Sequence, residues 1–183
     1  MKYEYSQSID VFRTIGDYAF RPNYYIVSGT VGAGKTTLLE VLAKRGLRSI
    51  PEIAAELINE QVQVDGELVP WKSELAFHKF EDLLLRKRIE AYIVAGKREV
   101  CFFDRGIPDA IPFFQVEAKS VPLVLLEAAR NIRYNQRVFY LPFWEEIYEK
   151  SPFRPQSIEE AINIDMLLRQ TYTDLEYTLV EVP

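Results

Sequence analysis

The residues Gly29-Thr30-Val31-Gly32-Ala33-Gly34-Lys35-Thr36 have the types and spacing of a loop that holds phosphate: a glycine, four residues, then Gly-Lys-Thr. Glycines there let successive N–H groups turn toward one centre, and a helix beginning near Lys35 adds its own unpaired N–H groups and the positive end of its dipole. The backbone from Gly29 through Val31, Ala33 and Thr37 would form the cradle. Lys35 would reach the β- and γ-phosphates, and Thr36 would offer its hydroxyl to the Mg²⁺ that accompanies a nucleoside triphosphate. The bland alternative is a glycine-rich turn that binds nothing.

Two further stretches end in charged residues at positions that matter for phosphate chemistry. Val100-Cys101-Phe102-Phe103 is an apolar run closed by Asp104-Arg105-Gly106. An aspartate after a strand next to the loop organises Mg²⁺ or its water, so Asp104 is a metal candidate and Arg105 a phosphate contact; the competing reading of Asp104 is a helix cap. Glu52 follows the short strand Leu47 to Ile50 and Pro51. At the carboxyl end of a parallel strand it can touch a substrate, or it can simply stabilise the first turn of the next helix. Arg154, in the proline-punctuated stretch from Glu149 to Ser157, can close over a transferring phosphoryl group as part of a lid, or remain a surface cation.

These side chains need a frame. Tyr24 to Ser28 reads as a strand buried on both faces, and Leu38, Leu39, Val41 and Leu42 form the apolar side of the helix after the loop, stopped by Gly46. A second helix runs from Pro51-Glu52 to about Val64. The spacing of Phe77, Phe80, Leu84 and Ala91, with Leu83 and Ile93, predicts one long amphipathic helix between Lys72 and Gly96, with Arg86-Lys87-Arg88 on its solvated face. A loop and helix are expected over 107–116, and a helix with core-facing Leu123, Leu125 and Leu126 from Pro122 to about Ile132. Val138 to Leu141 is a fourth strand, Ile158 to Asp174 a helix, and Tyr177 to Val182 a fifth strand. Strand and helix alternate without repeats or a separating linker, which predicts one α/β domain over 1–183: an arm at 1–23 and a core at 24–183.

Composition narrows the partners. At 183 residues and 48% hydrophobic content the chain can bury a sizeable core. Its net charge of −5 argues against a protein that coats nucleic acid. No apolar run is long enough to span a membrane and the first residues do not resemble a signal peptide, so the expected location is the cytoplasm. The single cysteine, Cys101, reads as a buried thiol. The single histidine, His78, excludes a clustered zinc site of the usual kind and a Ser-His-Asp arrangement.

Taken with Pro51-Glu52, Pro70-Trp71, Asp104 to Asp109 and Val138 to Trp144, the loop resembles a known family over about residues 24 to 183. It is similar to the predicted bacterial ATPases with an AAA-type domain, grouped with the ATP-binding domain of the ribosylnicotinamide kinase protein NadR. The resemblance implies a P-loop NTPase core, a three-layer α/β/α sandwich like those of nucleoside kinases, with a five-stranded parallel sheet ordered 2-3-1-4-5. It implies ATP with Mg²⁺, phosphate duties for Lys35 and Thr36, and the acidic-arginine pair Asp104-Arg105. Glu52 and Trp71 are the substrate candidates, and the place to look for an acceptor pocket is beside Glu52, Trp71 and Arg105. Members commonly carry an arginine shortly after the glutamate matching Glu52, where this chain has Ile53-Ala54-Ala55-Glu56.

The leading expectation is a Mg²⁺-dependent phosphotransferase moving the γ-phosphoryl of ATP to a small hydroxyl or phosphate compound. Its rivals are an ATP hydrolase or nucleotide-driven switch with water as acceptor, and a nucleotide-binding module whose arm engages a protein.

Overall fold

The computed structural model describes residues 3–5, 8–10, 13, 19–96, 98–144 and 157–182. Five parallel strands make the central sheet: β2 (Tyr24–Gly29), β3 (Arg48–Ile50), β4 (Cys101–Asp104), β6 (Arg137–Leu141) and β7 (Thr178–Glu181). They lie in the order β3-β4-β2-β6-β7, the 2-3-1-4-5 arrangement expected. Every neighbouring pair is parallel. A second, two-stranded parallel sheet was not foreseen: β1 (Ala19–Phe20) pairs with β5 (Ile132–Arg133). Two-residue strands carry too little alternation to be read from sequence.

Alternation along the strands sorts side chains into two layers. Ile26, Phe103, Val138 and Tyr140 face a large core, while Val27, Phe102, Phe139 and Leu141 face a smaller one. The smaller layer is closed by α1 (Lys35–Lys44) through Leu38, Leu39 and Leu42. Val41, read as part of its apolar side, is exposed. Gly46, at φ +81°, ends α1 in the left-handed conformation that suits glycine.

The larger layer holds α3 (Glu74–Val94), α4 (Ile111–Val116), α5 (Leu123–Asn131) and α6 (Ile158–Asp174). Helix α2 (Ile53–Gln63) packs on α3 through Leu57, Phe80 and Leu84. The starts of α3 and α6 are written locally. Ser73 accepts a bond from the Ala76 N–H (3.0 Å), and Ser157 and Glu160 satisfy each other's N–H groups.

Three expectations about faces need correction. Leu123 is 67% exposed while Leu125 is buried, because a helix beginning at Leu123 leaves its first residue outside the core. Ile93 is likewise exposed near the end of α3. The basic triplet divides: Arg86 and Lys87 pair with Glu90 at 3.8 and 3.6 Å, but Arg88 turns inward and is only 5% exposed. At 100° per residue, three consecutive residues cannot share a helix face.

The arm residues that are described dock on α3. Ser8 gives its N–H and hydroxyl to Asp82 (2.9 and 2.6 Å), Tyr3 donates to Asp82, and the Tyr5 hydroxyl meets His78 Nδ1 at 2.8 Å. His78 is thus a structural residue. Cys101 is buried, and burial pushes its thiol up to about 11. Among the described residues no helix is long and apolar enough to cross a membrane.

Candidate phosphate-binding site

The loop 29–36 joins β2 to α1 at the centre of the sheet. Its backbone requires glycine. Gly29 sits at φ +136°, and a Cβ there would fall 2.0 Å from the Leu141 carbonyl oxygen on β6. Gly34, at φ +87°, is the cap residue from which α1 starts. The first intrahelical bond runs from the Leu38 N–H to the Gly34 carbonyl (3.1 Å), so the N–H groups of Lys35, Thr36 and Thr37 precede the helical ladder.

Lys35 is 5% exposed and donates from Nζ to the carbonyls of Thr30 (2.6 Å) and Gly29 (3.2 Å). Burial, and then the charge of Arg105, lower its pKa to about 8. The ammonium is therefore held, dehydrated, inside the ring of loop backbone.

Asp104 ends β4 opposite Val27 of β2, one strand from the loop. Its Oδ2 lies 3.4 Å from the Thr36 hydroxyl, a long contact that marks proximity. Its Oδ1 is shielded from solvent and has no hydrogen-bond partner. Burial, then the Glu52 charge, raise the carboxyl to about 6.

A carboxylate oxygen without a partner beside a hydroxyl is a donor set that suits Mg²⁺, which takes oxygen ligands and uses one or two carboxylates together with substrate phosphates. Among the described residues no group of three or more His, Cys, Asp or Glu is placed so that it could hold a metal ion. The residues present thus fit a cation shared with phosphates.

Beyond Asp104 the chain leaves the sheet at Arg105, whose φ is +66°. Its buried guanidinium spans two carboxylates: Nε donates to Glu52 Oε1 (2.6 Å) and Nη1 to Asp109 Oδ1 (3.2 Å). Burial opposes its charge, but Glu52, Asp109 and Asp104 reverse that effect and keep it protonated. Glu52 stands at the N-cap position of α2 without capping it. Its carboxyl turns to Arg105 instead. Burial alone would raise its pKa, but Arg105 foremost, with Lys35 and Arg88, draws it below the ordinary value.

Sequence reasoning assigned no role to Asp109, and the structure places it at the hub. Fully buried, it accepts from the Ser28 hydroxyl (2.6 Å), the Gly106 N–H (2.7 Å), Arg105 and the Tyr172 hydroxyl. It therefore links β2, the turn after β4 and α6. An aspartate directly after a proline carries no such signal, since its partners Ser28 and Tyr172 are remote in the chain. Trp71 goes elsewhere: it is 60% exposed and lines a cleft of about 540 Å³ with Pro70, Glu74, Phe77 and Lys119. Arg154 lies outside the described residues.

The model of a family described as an AAA domain matches residues 24–183. No curated protein matches the chain. Among solved structures, the shikimate kinase of Acinetobacter baumannii in complex with shikimate is similar at TM-score 0.50 and 16% identity, over 93% of this chain and 87% of that one. That likeness concerns the fold: the strand order and the loop between β2 and α1 belong to a kinase-like P-loop architecture. With the family model extending from the first residue of β2 to the end of the chain, the protein belongs to this AAA-domain family of P-loop NTPases.

Proposed function

We propose that the protein is an ATP- and Mg²⁺-dependent phosphotransferase acting on a small molecule in the cytoplasm, that the chain is one nucleotide-binding unit, and that its kinship extends to the ATP-binding domain of NadR. The observation that carries the activity is the grouping at the loop: a dehydrated Lys35, the Thr36 hydroxyl, and Asp104 with an unpartnered buried oxygen. In this reading the loop backbone and Lys35 hold the β- and γ-phosphates of ATP. Thr36 and Asp104 would hold the Mg²⁺, and the chemistry it would supply there is neutralisation of charge on the transferring group. The acceptor oxygen attacks the γ-phosphorus as the bond to the β,γ-bridging oxygen breaks. ADP leaves, and the acceptor's proton passes to a carboxylate at the site. Arg105, tied to Glu52 and Asp109, fixes the wall on the acceptor side. Arg154 would approach the phosphoryl group from the other side.

Lys35→Ala tests the central assignment. Losing a charge-assisted phosphate contact should weaken ATP binding by roughly tenfold or more and remove turnover. The fold should persist, because the side chain contributes no apolar packing. Calorimetric titration with ATP and Mg²⁺ reads the affinity, and an unchanged Kd refutes the assignment. ADP release with and without a metabolite pool separates the acceptors: a phosphotransferase consumes ATP faster with the pool, a hydrolase does not, and a binding module releases no ADP.

A further inference from the structure

Away from the phosphate loop the chain builds a cleft of about 540 Å³, within the size range of small-molecule sites. One wall is the start of α3, with Glu74 and Phe77, preceded by Pro70 and Trp71. The other is the turn that leaves α4, with Glu117 and Lys119. Among the described residues, none of this lining bonds to Lys35, Thr36, Asp104 or Arg105, whose partners lie elsewhere. Phosphate binding leaves the cleft without a role.

The turn after α4 is set by the Lys119 N–H, which reaches back to the Phe114 carbonyl (2.8 Å), and by the Ala118 N–H, which reaches that of Gln115 (3.0 Å). It folds Lys119 over α3. The ammonium lies 4.8 Å from the centre of the Phe77 ring and 3.0 Å from Glu117 Oε2. Phe77 is itself held edge to face against Phe114, with ring centres 5.0 Å apart. The one cation of the cleft is thus spent on a ring face and a carboxylate.

Trp71 and Glu74 are the reverse case. The indole is largely exposed and makes no ring, cation or hydrogen-bond contact among the described residues. Glu74 has neither a hydrogen bond nor an ion pair there.

Charge decides what suits them. Two carboxylates, Glu74 and Glu117, and one ammonium, Lys119, line the cleft. The start of α3 adds the positive end of a helix dipole, about half a charge, and the Ser73 hydroxyl already accepts from one of its free N–H groups. Neighbouring side chains do not reverse this balance. Lys72 is drawn to Glu67 and to the Gly66 carbonyl (both 3.0 Å), and burial lowers the pKa of His78, which is neutral at neutral pH. The lining stays acidic. An anion would meet two carboxylates and an ammonium already engaged. A cation finds an open indole, the ring that attracts cations best, and an unpaired carboxylate.

We propose that this cleft binds a small organic cation, an ammonium or guanidinium compound, seated on the Trp71 indole with Glu74 and Glu117 as its counter-charges. The site is separate from the phosphate loop and does not depend on the phosphotransferase reading.

The chain has two tryptophans, so in Trp144→Phe the emission comes from Trp71 alone. That variant is titrated at about pH 7.5 and fixed ionic strength with choline, with agmatine, with the neutral carbon isostere of choline (tert-butylethanol) and with the anion tert-butylacetate. At least one of the two cations should change the emission saturably, at a half-saturating concentration about tenfold or more below that of either isostere. Adding Glu74→Gln and Glu117→Gln together should raise that concentration about fivefold or more. Both glutamates are exposed, so the variant should fold, and an ATP affinity within about twofold of the parent verifies that it has. Equal or tighter binding of the neutral or anionic isostere overturns the site. So does an unchanged half-saturation in the folded double glutamine variant, or no saturable change with either cation up to about 50 mM.

Discussion

Asp109→Ala gives the sharpest test of how the wall beside the phosphate loop is held. The substitution removes the acceptor of four donors at once: the Ser28 hydroxyl, the Gly106 N–H, Arg105 Nη1 and the Tyr172 hydroxyl. All four lie in the interior, so water cannot replace the lost oxygens without opening the core. Arg105 keeps Glu52 but loses its second carboxylate, and a buried ion pair broken from one side costs about 3–5 kcal/mol. The neutral donors add to this, although not independently. Against a total stability of about 5–15 kcal/mol, a loss of that size is severe.

Urea denaturation followed by tryptophan fluorescence should show the midpoint falling at an unchanged slope. The melting temperature should drop by about 10 °C. Asp109→Asn should fall between: one oxygen remains as an acceptor, but the amide NH₂ opposes one of the existing donors, at a cost of about 1–3 kcal/mol. Tyr172→Phe, which deletes one donor and leaves the carboxylate, should cost about 1 kcal/mol. If Asp109→Ala loses less than about 1 kcal/mol, the hub does not hold the wall and the argument fails.

Two further expectations concern the same region. Burial raises Glu81 to about 7, against about 4.3 in the unfolded chain, so its contribution favours the fold at low pH and is lost as pH rises through about 7. The stability of Glu81→Gln relative to wild type should therefore improve by up to about 3 kcal/mol between about pH 5 and pH 8, measured by urea denaturation at each pH; a difference that does not change with pH refutes the assignment. At the loop, Gly29→Ala would press a methyl group on the Leu141 carbonyl at a backbone angle that alanine rarely adopts. It should cost about 2 kcal/mol or more, or prevent folding, and a variant as stable as wild type by thermal melting would contradict the loop geometry.

Much of the architecture could be read from neighbouring residues. The phosphate loop is legible because glycine spacing and the strand before it are properties of eight to twelve consecutive positions, and the structure puts β2, Gly29 to Thr36 and α1 where that pattern requires. Asp104 and Glu52 were found by the same logic: each closes a run of strand residues, and parallel strands present those ends on one edge. The order β3-β4-β2-β6-β7 came from the family resemblance. Local alternation fixes that strands exist but not which lie side by side.

Arg88 and Glu81 show where local reading stops. Phe77, Glu81, Leu84 and Arg88 fall on one stripe of α3, so a stricter account of helical spacing would have drawn both charges inward. The triplet Arg86-Lys87-Arg88 reads as solvated because charge usually is. What these groups meet inside, and that Asp109 gathers Ser28, Arg105, Gly106 and Tyr172, depends on elements up to 81 residues apart in the chain. The amino-acid sequence by itself determined the loop that can hold phosphate, the strand ends that face it and the alternation that builds the sheet, because each is encoded in consecutive residues. Only the tertiary structure decided which charges share the wall beyond the loop and which of their atoms stay unpaired, because burial and pairing are properties of side chains brought together across the fold.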